Sequence, residues 1–264
     1  SAVIEDMGLL ATSAVIEDMG LLATSAVISD MATLAGSGAT PTLTSIGVSG
    51  NIDVDGTANL DIVDVDGAAN FAANVTFSDG ADIITASAGS QNLRLGENAG
   101  DSITSGGNFN VFAGYNAGTA NTIGDENVAI GHAALATNVA GSKSTAIGQG
   151  ALNVQNKASN AAGDQLNTAV GYHAGVAVTT GIKNTFIGGL SGDATTTAEE
   201  NTAVGYESMT TNTTGGDNSA SGAYSLRMNT TGSNNAAMGY SALEQNTTGG
   251  SNTAVGYKAL EANT

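Results

Sequence analysis

The sequence predicts an all-β protein: an elongated homotrimeric β-solenoid, or β-roll, of about ten 17-residue coils, preceded by a β-rich shaft and short 12-residue repeats. Three observations lead there. Glycines recur at a fixed spacing through the second half of the chain. The residues just before each of them form short strands that are apolar on both faces. Large side chains are too few for one thick core, with aromatics at 4% and no tryptophan. A chain that is regular but poor in core-forming residues keeps each layer thin by repetition.

Composition narrows the function as well. Ala, Gly, Thr and Asn supply 139 of the 264 residues, and only 11% are charged, so the chain is neither an ordinary globular domain nor a charged disordered tail. The net charge of −18 excludes phosphate-backbone binding, because Arg94, Lys143, Lys157, Lys183, Arg227 and Lys258 stand singly. No nucleic-acid partner is expected. Residues 1–93 hold twelve acids and no base, which repels anionic membranes. No apolar run reaches 18 residues, so no membrane insertion is expected in this segment. The absence of cysteine removes disulfides, thiolate metal sites and thiol catalysis.

Three blocks follow from the repeats. In residues 1–36, SAVIEDMGLLAT occurs twice without change and then as SAVISDMATLAG. Each copy reads either as a short helix stopped at Gly8 or Gly20, or as a strand and turn; both readings stay open. A period of 12 excludes a continuous coiled coil, and the block serves as attachment or shaft. The stretch Ala35 to Thr42 is a linker. Residues 37–91 form the β-rich trimeric shaft. There DVDGTANLDIV is followed at once by DVDGAANFAAN, strands entering Asp-Gly turns. Calcium is not expected at these turns. Gly56 and Gly67 occupy the fourth position rather than the sixth, and the closing Glu is missing.

The third block, residues 92–264, carries most of the information. Its anchoring glycines are Gly96, Gly114, Gly131, Gly148, Gly171, Gly188, Gly205, Gly222, Gly239 and Gly256, all but two of their spacings being 17 residues. The longest step, 23, places an insertion around Val154–Leu166 that should bulge out as a loop. The glycine supplies a backbone freedom or a close approach that no other residue allows. Asn stands four residues before it in nine copies, with Ser144 the exception, and again seven after it at Asn138, Asn212, Asn229, Asn246 and Asn263. Stacked coils let such amides hydrogen-bond in ladders. Ala stands two before the glycine in seven copies, and Ile, Val, Leu or Met mostly one before it. Neighbouring strand residues face opposite ways, so one coil interior covers only one of these columns. The other should meet another chain, and threefold symmetry closes such a fibre. With about 4.8 Å between strands, ten coils make a rod on the order of 50 Å long.

The copies NTAVGYHAG, NTAVGYESM and NTAVGYKAL resemble the head repeat of YadA-like trimeric adhesins, and the longer form ending NTTGG is similar to repeat arrays of phage tail fibres. The first two blocks look like fibres of marine phages. The resemblance covers residues 92–264 well and 1–91 loosely. It implies a trimeric left-handed β-roll. Three family parts have no counterpart here: a membrane-anchor barrel, a chaperone domain and a recognisable receptor-binding tip. The array stops within a repeat at Asn263-Thr264, so the chain reads as a segment of a longer protein.

The expected function is therefore a structural and adhesive segment of a trimeric phage tail fibre, located in the virion tail, reaching the host surface without catalysis or cofactor. Its partners would be two further copies, other virion tail proteins, and a glycan or protein receptor on the host. A bacterial surface adhesin of the same fold and a polysaccharide-degrading tailspike are the alternatives. The column just after the glycine holds Tyr115, His132, Tyr172, Tyr206, Tyr240 and Tyr257, a surface or seam column that could also receive sugar rings. His173 lies one position further on. No nucleophile elbow, P-loop or zinc-protease helix occurs. Asp125, Glu126, Glu199 and Glu200 are the carboxylates a glycan-cutting spike would pair, and as turn acids they read as solvated. Metal sites are not expected. The sequons at Asn212, Asn229 and Asn246 are accounted for as turn repeats.

Overall fold

The computed structural model describes residues 89–156 and 163–263. The 12-residue repeats, the Asp-Gly turns of the shaft and the middle of the insertion lie outside the described residues. Those described are all-β with no helix and build a parallel β-solenoid of about nine turns. One strand of three residues per coil enters a single ten-stranded sheet: β1 (Leu93–Leu95), β2 (Val111–Ala113), β3 (Val128–Ile130), β5 (Thr145–Ile147), β7 (Thr168–Val170), β8 (Thr185–Ile187), β9 (Thr202–Val204), β10 (Ser219–Ser221), β11 (Ala236–Met238) and β12 (Thr253–Val255). Every step is parallel and in register with the repeat, for example Thr202↔Ser219, Ala203↔Ala220 and Val204↔Ser221. A second pair, β4 (Gly141–Ser142) with β6 (Gly163–Asp164), brings the insertion's far end back to the stack. Lys143 and Asp164 hold it there at 2.9 Å.

Such short strands persist because each coil hydrogen-bonds to both neighbours outside the strands too. After the anchoring glycine, alternate amides point along the stack in opposite directions: Glu207 N–H donates to Gly189 O at 3.1 Å, and Met209 N–H to Ser225 O at 3.0 Å. The residues two and four after the glycine have φ near +55° to make this possible, at His173, Tyr224, Leu135 and Leu226 among others. A left-handed residue with a Cβ costs roughly 1–2 kcal/mol, which other contacts can offset. The anchoring slot is stricter. Gly205 has φ +142°, and a Cβ there would sit 2.5 Å from Gly222 O and 2.6 Å from Gly222 C. Gly131 meets Gly148 in the same manner, with its closest atom at 2.7 Å. Glycine rests on glycine along the stack, so the expected close approach is real and its partner is the next coil's backbone.

The interior is narrow. In the three-residue strands after β1 the middle residue points inward, and Phe112, Ala129, Ala146, Ala169, Phe186, Ala203, Ala220 and Ala237 are fully buried. Opposite them stands the residue four after the glycine: Leu135, Leu152, Met209, Leu226 and Leu243. Coils with Phe in the strand exchange volume. Gly100 and Gly118 flank the Phe112 ring, each leaving room that a Cβ would take at 2.6 Å, and Gly175 and Gly192 flank Phe186 likewise. One phenyl ring with two glycines thus replaces one alanine with leucines, which keeps the packing density of the layer.

Beside a buried column of Ala and Ser three after the glycine, such as Ala134 and Ser208, much of the remaining interior is amide. Asn110, Asn127, Asn184, Asn201, Asn218 and Asn235 are each at most 1% exposed, and each accepts a backbone N–H of the next coil on its Oδ1. Apart from Asn184, which donates to Ala198 O, their Nδ2 groups donate to a carbonyl that a second asparagine column also uses. Gly215 O accepts from Asn201 and Asn212, and Gly232 O from Asn218 and Asn229, all at 2.8–2.9 Å. Asn121 belongs to this second column beside Asn138, Asn212, Asn229, Asn246 and Asn263. Where Ser144 interrupts the first ladder, Gln155 from the second reaches across. Its Nε2 donates to Ser144 Oγ at 3.0 Å, and its Oε1 accepts from Asn167 Nδ2 at 2.8 Å. A threonine ladder runs alongside, each hydroxyl donating to the next coil's carbonyl from Thr179 through Thr196, Thr213 and Thr230 to Thr247. In the coil of Gly188, Thr195 takes the asparagine slot, and its Oγ1 is buried without a partner.

Two consequences are open to measurement by thermal and denaturant unfolding. Gly205→Ala destabilises by on the order of 3 kcal/mol or more, since it combines a forbidden φ with a backbone clash. Gly189→Ala, whose added methyl meets only the Tyr206 ring at 3.6 Å, stays within about 0.5 kcal/mol of the parent. Phe186→Ala alone costs about 3–5 kcal/mol. Adding Gly175→Leu and Gly192→Leu to it recovers most of that loss, whereas those two leucines beside the intact phenyl ring destabilise further.

Candidate functional site

The residues on either side of the anchoring glycine face outward, and among the described residues they form a surface where apolar groups line up along the stack. The column just before the glycine is aliphatic: Ile130 is 40% exposed, Ile187 40%, Val204 37% and Met238 53%. Inward and outward strand faces are thus both apolar, as the sequence implied, and among the described residues the outward one stays half-exposed. No ionisable residue occupies this column in any of the ten strands of the sheet.

The column just after the glycine is aromatic, and the structure splits it into groups. Tyr115 and His132 lie with ring centroids 5.5 Å apart. Tyr172 does not continue that pair, because Gln149 stands in the intervening coil; it stacks instead on His173, at 4.1 Å and 7°. The His173 ring lies over Gly150, whose missing Cβ would sit 2.6 Å from it. The longest run is Tyr206, Tyr224, Tyr240 and Tyr257, with centroid steps of 5.8, 5.5 and 5.6 Å. Tyr224 is the member sequence reasoning missed. It sits two residues after Gly222, and its left-handed φ of +60° swings the ring into the column that Ala223 leaves empty. The signal available was an aromatic residue displaced by one position in the very coil that lacks one.

A charged margin borders this run. Arg227 reaches Glu207 at 3.5 Å and Glu244 at 3.1 Å, spanning three coils, and its guanidinium carbon lies 5.3 Å from the Tyr224 ring centre. The Tyr206 hydroxyl hydrogen-bonds to Glu207, and that bond, with the carboxylate's charge, raises the phenol above its ordinary pKa.

The other sequence candidates fall elsewhere. Asp125 Oδ1 accepts from Asn108 N–H at 2.7 Å and from its Nδ2 at 3.2 Å, so it joins two coils. Glu126 and Glu200 occupy left-handed turn positions of different coils. Glu200 is paired with Lys183 at 2.6 Å, which lowers the Glu200 pKa and raises that of Lys183. Among the described residues no group of three or more His, Asp or Glu side chains could hold a metal ion, and no helix is long and apolar enough to cross a membrane. The sequon asparagines Asn212, Asn229 and Asn246 are fully buried with their amides committed to the second ladder, so the folded chain offers none of them as a glycosylation acceptor.

Comparison with protein-family models, with curated proteins and with solved structures finds no match to this chain.

The Tyr206–Glu207 bond predicts a spectroscopic outcome. In an alkaline ultraviolet titration, the component lost with Tyr206→Phe ionises above the ordinary tyrosine range. Glu207→Gln brings it back toward the ordinary tyrosine range.

Proposed function

We propose that the chain is a structural and adhesive segment of a trimeric phage tail fibre that extends to and contacts the host cell surface without catalysis. The observation that carries this reading is the outward aliphatic column beside each anchoring glycine. A chain of net charge −18 carries there a line of half-exposed Ile, Val and Met, uncharged in every coil. Contiguous apolar surface on an otherwise polar molecule marks an interaction site. A column that repeats with the coil pitch matches a copy of itself at every layer, and three copies about a long axis close the assembly without leaving a free column. In this reading each anchoring glycine marks one coil, ten per chain. Nearest-neighbour stacking then lets length grow without a thicker core, which suits a rod that spans distance rather than encloses a substrate. Other tail proteins would join it to the virion, and its receptor would be a glycan or protein of the host surface.

Light scattering on the intact chain checks the trimer. The expected mass is near three times the 25.8 kDa of one chain. Combining Ile130→Asp, Ile147→Asp and Val204→Asp should shift it to one chain while the solenoid's circular dichroism persists. A one-chain mass for the unsubstituted protein overturns the reading.

A further inference from the structure

We propose that the run Tyr206, Tyr224, Tyr240 and Tyr257 is a binding track for an extended, uncharged polysaccharide, laid along the stack with one sugar ring to each coil. The four aromatic rings belong to consecutive coils, and their centroid steps of 5.8, 5.5 and 5.6 Å are close to the length of one pyranose unit in an extended chain. A sugar offers an apolar C–H face and a rim of hydroxyls. The track offers aromatic surface, with Tyr206 49% and Tyr240 46% exposed, bordered on adjoining coils by Glu207, Arg227 and Glu244 as hydroxyl partners. The rings are held before any ligand arrives. Arg227 bridges the two carboxylates and lies near the Tyr224 face, and Tyr224 meets Tyr206 and Tyr240 edge-on at 85° and 86°. Ordering these side chains therefore adds little cost to binding.

Charge decides which polysaccharide. Each of the five cationic side chains among the described residues already faces an acid: Arg94 with Asp101, Lys143 with Asp164, Lys183 with Glu200, Arg227 with Glu207 and Glu244, and Lys258 with Glu261. No cation is left on this track to receive a carboxylate or sulfate, and the net charge of −18 repels one. The pairs Tyr115–His132 and Tyr172–His173 span at most two coils and present no comparable length.

This inference names a ligand class for the host-contacting role proposed above, yet it is tested apart from trimer formation. Isothermal titration of the intact chain would use cellohexaose, mannohexaose and chitin hexasaccharide as uncharged probes, with hexagalacturonate as the anionic one. At least one uncharged probe binds, and hexagalacturonate does not. Tyr240→Ala weakens that binding about 3- to 10-fold, Tyr240→Phe retains it, and Tyr172→Ala leaves it unchanged, all three with the parent's thermal unfolding. Three results overturn the track: no uncharged probe binds, hexagalacturonate binds as well as the best of them, or Tyr240→Ala binds like the parent. Light scattering on the same samples separates the two readings. A three-chain mass without glycan binding removes only the track, and glycan binding by a single chain removes only the trimer.

Discussion

Everything in this solenoid depends on the contact of one anchoring glycine with the next. The glycine's φ, near +130°, is closed to residues with a Cβ, and its face lies against the following glycine's carbonyl with no room for a methyl group. That contact sets where each coil begins relative to its neighbours. Once the glycines are in line, every other slot is in line too, and identical side chains stack into columns. The aliphatic, aromatic, asparagine and threonine columns are consequences of that registration rather than independent features.

The interior shows what such a thin coil uses in place of a hydrophobic core. Alanine and one leucine-sized side chain per layer bury little apolar area, so polar groups occupy the remaining space and must be satisfied there. The two asparagine columns do this by sharing carbonyls, each of which accepts two amide donors, as at Gly215 and Gly232. Deleting a first-column amide such as that of Asn201 leaves the buried N–H of Asn218 unpaired, at roughly 1–3 kcal/mol. The ladder therefore specifies register as strongly as packing does. Its repair by Gln155 at Ser144 shows that the slot demands a hydrogen-bond bridge rather than a particular residue.

The 17-residue period and the ten glycines were legible in the sequence because each glycine sits where backbone geometry admits one residue type, and the Asn column because nearly every coil places an amide in that slot. The coil interior was legible only in part. Reading Ala and Ile as opposite faces follows from strand alternation, but Gly118 and Gly192 look like turn residues until Phe112 and Phe186 are seen beside them. Tyr224 was missed because its own left-handed backbone changes where the side chain emerges, and columns counted by sequence offset cannot register that. Asn121 escaped the second ladder for a simpler reason: Ile103, Gln155, Val178 and Thr195 occupy the same slot elsewhere, which blurs the column.

The surface proposed to be functional lies next to the glycine line for the same physical reason that the line exists. Close backbone packing fixes the residues on either side of the glycine and aims both outward, so neither column can turn back into a core already filled from within. In the proposed function the aliphatic groups on one side meet a second chain, and the aromatic groups on the other meet a flat ligand. The most direct test of the first is the solvent exposure of single methyl groups in the intact protein, read from their relaxation by a soluble paramagnetic chelate. If three chains cover the aliphatic column, the Ile130, Ile147 and Ile187 methyls relax as slowly as those of the buried Leu135, Leu152 and Leu243. Relaxation as fast as that of exposed Leu166 would mean that the column faces water and that the fibre is not built on it.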